Sequence, residues 1–131
     1  MKMMQAEFTV MEREEILEYW DRMRGSRIVK IHGLRNLSET VGGVLTGAHV
    51  ALKGLLDGQV KAVVIVKGVG KTCVILQVWS PGAARKLKDA FFSFLKGSGF
   101  EEVTGASPRS DDPIIKLFSM ERVYTLFKRR L

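Results

Sequence analysis

Cysteine and histidine are scarce in this sequence. The chain of 131 residues holds one cysteine, Cys73, and two histidines, His32 and His49. A single cysteine excludes an internal disulfide and any cysteine-cluster metal site, and neither histidine stands in a spacing typical of a metal site. Cys73 lies in an apolar, strand-like run, which favours a small buried side chain over a nucleophile. The sequence therefore predicts no catalytic residue, no metal site and no cofactor, and it leaves enzymatic activity undecided.

Long apolar runs are missing as well. No stretch approaches the roughly 20 apolar residues that a membrane-crossing helix needs, and the first ten residues, MKMMQAEFTV, lack the apolar core and cleavage site of a signal peptide. We expect a cytoplasmic protein without membrane contact that folds as a single domain over residues 1–131. Asparagine and glutamine are rare too, with one and three residues, a composition typical of thermophile proteins.

The stretch VKGVGKT, residues 66–72, ends like a nucleotide-binding P-loop. A P-loop needs a glycine five positions before its Gly-Lys pair and a helix directly after its threonine. Ile65 occupies the first of these places, and a β-branched run from Cys73 to Trp79 stands where the helix should be. We therefore interpret the stretch as a glycine-rich turn between two strands, with Lys67 and Lys71 beside it.

The order of the predicted elements indicates an α/β (α+β) protein with a ferredoxin-like core. From about residue 27 to 104 the patterns predict the order βαββαβ, with a strand and a helix added at each end. The predicted helices are 11–24, 36–56, one opened by Ser80-Pro81 and closed at 97–99, and 120–130. The predicted strands are 7–10, 27–32, 61–67, 72–79, 100–104 and 114–118.

One face of such a sheet carries the helices, and the alternation of side chains assigns a mixed, largely apolar set of residues to the other face. That set contains Ile28, Val63, Ile65, Ile75, Gln77 and Trp79. An exposed apolar patch of this size is unusual on a monomer. We therefore expect the terminal helices or a second subunit to cover it, which favours a homodimer or a subunit of a larger particle.

Positive charge is concentrated in the middle of the chain. The net charge is +7, and residues 26–99 hold eleven basic and three acidic side chains. This balance is typical of proteins with a polyanionic partner, most often nucleic acid, although a generic basic surface has the same composition. Arg85, Lys86 and Lys88 lie in the first turns of the predicted third helix, where cations oppose the helix dipole, and this favours an anion site there.

Two sets of candidate site residues follow from these patterns. The candidate RNA contacts are Lys30, His32, Arg35, Lys67, Lys71, Trp79, Arg85, Lys86 and Lys88. Trp79 is included because an aromatic ring at a strand end can stack on a base, with a core position as the alternative. Gly43, Gly47 and Ala51 fall on one side of the predicted long helix and form a candidate interface, either for packing on the sheet or for self-association.

Residues 60–118 resemble part of a known family. A strand, SPGAARKL, GSGFEEVTG and a further strand follow one another. This succession resembles the C-terminal half of the third wybutosine-synthesis family, which modifies a tRNA base with S-adenosylmethionine, and the motif of that family's N-terminal half is absent here. The resemblance implies a related fold and a tRNA partner.

The sequence therefore favours a small basic protein that binds structured RNA, such as tRNA or a ribonucleoprotein, through its middle. One alternative is an RNA-modifying enzyme that uses S-adenosylmethionine. Another is a structural subunit whose apolar sheet face binds protein.

Overall fold

The computed structural model describes residues 5–26 and 33–105. Its sheet contains β1 (Ala6–Val10), β2 (Val50–Leu56), β3 (Gln59–Val69), β4 (Thr72–Trp79) and β5 (Glu102–Gly105). The strands lie side by side in chain order. Neighbouring strands are antiparallel except β4 and β5, which are parallel.

Helices cover both faces of this sheet. A 3₁₀ helix, η1 (Arg13–Tyr19), continues into the short helix α1 (Trp20–Arg24), and α2 (Leu34–Thr46) and α3 (Ala84–Gly97) follow. The mixture of helices and strands confirms the predicted α/β class. No helix in the two described ranges is long and apolar enough to cross a membrane.

The face beneath α3 forms one apolar core. Leu87, Phe91 and Leu95 are spaced four residues apart, so they lie on one side of α3 and point at the sheet. The ring of Phe91 packs on Phe8 of β1, with 5.2 Å between the ring centroids. Gly54 makes room for Phe8, because a Cβ at Gly54 would lie 2.7 Å from the Cζ of that ring.

The opposite face forms a second core beneath η1, α1 and α2. Ile16, Met23 and Leu37 from these helices and Val63 and Ile65 from β3 are fully buried in it. Val63 and Ile65 were expected on an open face, and within the described part of the chain the helices already cover them. The sheet is therefore the middle layer of three.

The predicted hairpin in VKGVGKT is confirmed. Val69 pairs with Thr72, and Gly70 takes the left-handed conformation (φ +60°) that such a tight turn requires. Gly68, which was predicted to form part of the turn, instead pairs with Cys73 as a strand residue. The stretch holds no helix after its threonine, so it is not a P-loop.

The predicted ferredoxin-like core is wrong. The helix expected over 36–56 ends at Thr46, where Gly47 caps it in the left-handed conformation (φ +86°). Residues 50–56 form β2 because they pair with β1 on one side and β3 on the other, and this pairing overrides the helix propensity of their alanine, lysine and leucine residues. The predicted strand 27–32 and the elements predicted beyond residue 105 lie outside the described residues.

Candidate functional site

β4 and β5 are paired over the whole of β5, which ends at Gly105, the last residue that the structure describes. Their parallel pairing runs from Thr72 opposite Glu102 to Ile75 opposite Gly105. Residues 76–79 of β4 continue beyond it, with β3 on one side and no strand on the other among the described residues. We call the side of residues 76–79 that faces away from β3 the β4 edge. Unpaired N–H and C=O groups along such an edge can bind an extended molecule as an added strand would bind.

A β-bulge interrupts the pairing of β3 with β4. Ile65 of β3 pairs with Gln77, and the next residue, Val66, pairs with Ile75. Leu76 is therefore an extra residue in β4. A bulge interrupts the ladder of hydrogen bonds and redirects the side chains that follow it.

The bulge changes which face each β4 side chain occupies. Ile75 belongs to the core beneath α3, whereas Trp79 belongs to the core beneath η1, α1 and α2. Gln77 also faces the second layer, since it bonds to a residue of α2. The prediction that these three share a face is wrong for Ile75, because a strict period of two does not allow for the bulge.

Gln77 is a buried polar side chain directly after the bulge. It is 1% exposed, and its amide nitrogen donates a hydrogen bond to Oδ1 of Asn36 over 3.4 Å. Its carbonyl oxygen, Oε1, is buried and has no hydrogen-bond partner among the described residues. Leaving a buried acceptor unpaired costs about 1–3 kcal/mol. A bound group that donates to Oε1 would account for this position.

The loop after β4 leads into an uncapped helix. Gly82 adopts a left-handed backbone (φ +70°), and no atom lies within 4 Å of the place where a Cβ would stand. The N-cap residue, Ala83, has no capping side chain, and no described residue accepts a hydrogen bond from the backbone N–H of Ala84 or Arg85. Free N–H groups at the positive end of a helix dipole bind anions.

The charges around this helix start have one sign. The first turn of α3 holds no acidic residue, and Arg85 and Lys86 are exposed there. Lys88 lies one turn further and is half-buried. The residues predicted to form an anion site therefore lie beside the end of the β4 edge.

The other predicted basic contacts lie elsewhere. Lys67 and Lys71 are exposed at the hairpin tip, at the opposite end of β4, whose eight residues span roughly 23 Å. Lys71 forms an exposed ion pair with Glu101 at 3.3 Å. Arg35 on α2 forms another with Glu39 at 3.2 Å. The structure therefore does not bring these cations together with Arg85 and Lys86.

Two further candidates, Lys30 and His32, lie outside the described residues. Trp79 is described, and it is 9% exposed with its ring centroid 6.0 Å from that of Tyr19. Trp79 is thus a core residue, the alternative that the sequence left open, and it does not present a stacking surface.

The candidate interface of Gly43, Gly47 and Ala51 does not exist as one helix face. Gly43 lies in α2, Gly47 is its C-cap, and Ala51 is a buried residue of β2. The ring of His49 occupies the space beside Gly43, since a Cβ there would lie 2.6 Å from Nε2 of that ring. Gly43 is therefore explained by packing within the chain.

Cys73 is fully buried beneath α3, and burial raises the pKa of its thiol from 9.0 to about 11. The neutral thiol is a poor nucleophile. Among the described residues no group of three or more histidine, cysteine, aspartate or glutamate side chains could hold a metal ion.

The predicted site residues did not include Gln77 or Asn36, and the bulge at Leu76 was not predicted. A signal was present for the first, because Gln77 is a lone amide inside the apolar run from Cys73 to Trp79. A polar residue in a strand that is apolar on both faces needs a partner. The bulge has no comparable mark, since Leu76 fits a regular strand equally well.

No protein-family model and no curated protein sequence matches this chain. Solved structures do match it. A ribosomal-protein-alanine N-acetyltransferase from Brucella melitensis biovar Abortus 2308 is similar with a TM-score of 0.67 at 12% identity, and the match covers 97% of this chain and 99% of that one.

Two aminoglycoside acetyltransferases are similar as well. One, from an uncultured soil metagenomic sample and bound to sisomicin, matches with a TM-score of 0.62 at 14% identity over 96% of each chain. The other, aminoglycoside N-acetyltransferase AAC(6')-Iy in complex with CoA, matches with a TM-score of 0.59 at 11% identity, over 99% of this chain and 97% of that one.

These matches correct the hypotheses drawn from the sequence. The resemblance to the wybutosine-synthesis family is contradicted, because the structures that match almost the whole chain are acetyltransferases. The predicted RNA-binding protein and the alternative S-adenosylmethionine enzyme are contradicted by the same finding, and the assembly subunit is withdrawn with them. The chain shares the fold of these acetyltransferases, a mixed α/β sheet in which β4 and β5 are the parallel pair.

Proposed function

We propose that the protein is an acyl-CoA-dependent N-acetyltransferase. The observation that carries this proposal is the uncapped, basic start of α3, the helix that connects the parallel strands β4 and β5. This arrangement stands in a fold shared with acetyltransferases, one of which was solved with CoA.

The start of α3 fits the phosphates of CoA. The backbone N–H groups of Ala84 and Arg85 lie at the positive end of the helix dipole and have no acceptor among the described residues. The side chains of Arg85 and Lys86 add two positive charges there. Gly82 keeps the loop open, since its position carries no Cβ and nothing stands beside it. Arginine adds paired donors that match the geometry of a phosphate.

The β4 edge fits the extended arm of CoA, which carries amide groups. An extended chain beside residues 76–79 would pair with backbone N–H and C=O groups that no strand uses in the described part of the chain. The arm would then lie between the helix start and the bulge at Leu76. Such pairing orients the ligand along β4 without requiring particular side chains.

Gln77 fits the role of receiving the acceptor amine. Its Oε1 is a neutral acceptor fixed by burial, and the hydrogen bond from Nε2 to Asn36 sets the plane of its amide. An amine that donates to Oε1 is oriented with its lone pair free, and Gln77 takes no proton from it. When bound, acetyl-CoA supplies the acetyl group: the C–N bond forms, the C–S bond breaks, and the amine loses a proton while the sulfur gains one.

Acetyl transfer can be tested by following CoA release. The purified protein would be incubated with acetyl-CoA and separately with an aminoglycoside, a peptide with a free N-terminal alanine, and spermidine. A thiol reagent would report released CoA, and mass spectrometry would report acetylation of the acceptor. Buried Cys73 does not interfere with the thiol reagent in the folded protein.

We expect at least one amine to release CoA faster than the control without acceptor. If acetyl-CoA fails to bind by calorimetry, the proposal is wrong at its first step. Binding without transfer to any member of a wider amine panel would contradict the enzymatic part.

A further inference from the structure

An open pocket of about 390 Å³ lies between the end of α2 and the chain that leaves β1. Its walls include Val10, Met11, Arg13, Val44, His49 and Val50. The pocket is thus apolar on its sides, with a guanidinium and an imidazole among its polar groups.

This pocket is separate from the β4 edge. Trp79, at the end of that edge, pairs with Val63 of β3, which pairs with Lys53 of β2. The pocket begins at Val50, which is three residues from Lys53 along β2. Val50 therefore lies roughly 10 Å from Lys53 along the strand, and Trp79 lies roughly another 10 Å from Lys53 across two strands. A ligand here would not compete with CoA for space.

His49 carries an unsatisfied polar atom in this pocket. Its Nδ1 is buried and has no hydrogen-bond partner among the described residues. The residue is held in place on two sides: its backbone N–H donates to the carbonyl of Gly43 over 3.0 Å, and its ring packs where a Cβ of Gly43 would stand. The imidazole is therefore held in one place at the pocket wall.

Arg13 carries an unpaired charge at the same pocket. Its guanidinium lies against Gly47, with Nη2 2.7 Å and Cζ 2.9 Å from the place of a Cβ there. No carboxylate of the described residues forms an ion pair with Arg13, although Glu12 and Glu14 also line the pocket. The pocket thus presents charges of both signs beside an apolar wall.

We propose that this pocket binds a small α-amino acid with an apolar side chain. The ligand carboxylate pairs with Arg13, whose planar guanidinium matches it in a bidentate manner. The ligand ammonium faces Glu12 and Glu14, and the His49 ring lies at the pocket wall, where it reports binding. A simple fatty acid would leave the two glutamates facing a carboxylate, and a simple amine would leave Arg13 without a partner.

The proposal can be tested by NMR, because His49 is one of only two histidines in the chain. In an H32Q variant the remaining imidazole signal belongs to His49. L-Leucine would be titrated, with 4-methylpentanoate and isoamylamine as matched probes that lack its ammonium and its carboxylate, respectively. We expect leucine to shift the His49 signal with saturation and each probe to bind about tenfold or more weakly.

R13Q should weaken leucine binding by about tenfold to a hundredfold, and R24Q is its matched control. Arg24 is an exposed residue of α1 that pairs with Asp21, so its loss leaves the pocket unchanged. Thermal unfolding of both variants would show that they are folded. An unshifted His49 signal at saturating leucine would overturn the proposal, as would equal affinity for R13Q and R24Q. If 4-methylpentanoate bound as tightly as leucine, the assignment of an amino acid would be overturned. Since no CoA is present, this outcome is independent of acetyl transfer.

Discussion

The amide nitrogen of Gln77 donates to Oδ1 of Asn36 across 3.4 Å and so joins β4 to α2 beside the bulge at Leu76. The other amide atom, Oε1, is buried without a partner among the described residues. Within the described part of the chain, one strong acceptor beside the bulge is thus left unsatisfied. An unpaired buried acceptor lowers the stability of the folded state, which favours a functional role for Gln77 over a purely structural one.

Replacing Gln77 should therefore separate stability from activity. In Q77L the unpaired carbonyl is gone, so the free energy of unfolding should stay within about 1 kcal/mol of the wild type. The second-order constant for acetyl transfer should fall about tenfold or more, because the acceptor amine loses a hydrogen bond that orients it. Denaturant unfolding and initial rates of CoA release measure the two quantities.

Thr40→Val is the matched control for Q77L. Thr40 is also a buried polar residue, on α2, but its hydroxyl already donates to the carbonyl of Leu37 over 3.0 Å. T40V should lose about 1 kcal/mol of stability and keep its transfer rate. An unchanged rate in Q77L would show that Gln77 does not position the acceptor.

Two adjacent glycines of α2 should respond in opposite directions to alanine. In G42A the new methyl group meets no atom within 4 Å, so the better helix propensity should stabilise the protein by about 0.5–1 kcal/mol. In G43A the methyl group must displace the His49 ring, since Nε2 lies 2.6 Å from its position. We expect a net loss of about 1–3 kcal/mol. Chemical denaturation of both variants checks the contrast, and equal effects would mean that His49 does not pack on Gly43.

The buried thiol of Cys73 should make stability depend on alkaline pH. Burial raises its pKa from 9.0 to about 11, so the unfolded chain loses this proton at lower pH than the folded chain. Stability should therefore fall as pH rises between these values, by about 2–3 kcal/mol in total. C73V, which keeps a buried apolar group, should lack this part of the pH dependence. Rapid alkylation of native Cys73 near neutral pH would contradict its burial.

The ion pair between Glu15 and Lys53 should stabilise the fold more than an exposed pair. Its atoms are 2.8 Å apart and its side chains are 22% and 25% exposed, against 67% and 74% for Glu101 and Lys71. E15Q should lower the free energy of unfolding by about 1 kcal/mol at neutral pH, and E101Q by much less.

The pH dependence of that pair has a definite sign. The hydrogen bond with Glu15 raises the pKa of Lys53 above its ordinary 10.5. The contribution of the pair is then fully present below that value and disappears as pH rises through the higher pKa of the folded state. If E15Q and E101Q lowered the free energy of unfolding equally, the greater contribution of the partly buried pair would be contradicted.

Much of the fold could be predicted from local patterns. The hairpin around Gly70 and the buried side of α3 through Leu87, Phe91 and Leu95 follow from turn chemistry and helical spacing. β2 could not be predicted in this way, because VALKGLL has the composition of a helix and becomes a strand only by pairing on both sides. That one element decides between the ferredoxin-like order and the observed sheet.

The candidate site was less accessible from the sequence. The basic start of α3 was found from the charges of Arg85 and Lys86, which oppose the helix dipole. The β4 edge depends on which strands pair with β4, and no local pattern in residues 76–79 indicates that. The face to which Gln77 points depends on the bulge beside it, which the sequence does not show.

Binding of CoA itself tests the central claim most directly. Isothermal titration calorimetry would compare the wild type with R85Q/K86Q, and K67Q/K71Q would be the matched control at the far end of β4. We expect wild type and control to bind CoA alike, and R85Q/K86Q to bind about tenfold or more weakly, because two charges beside the free N–H groups are lost. No binding by the wild type at about 1 mM CoA, or equal affinity of the two double variants, would contradict the placement of CoA at the start of α3.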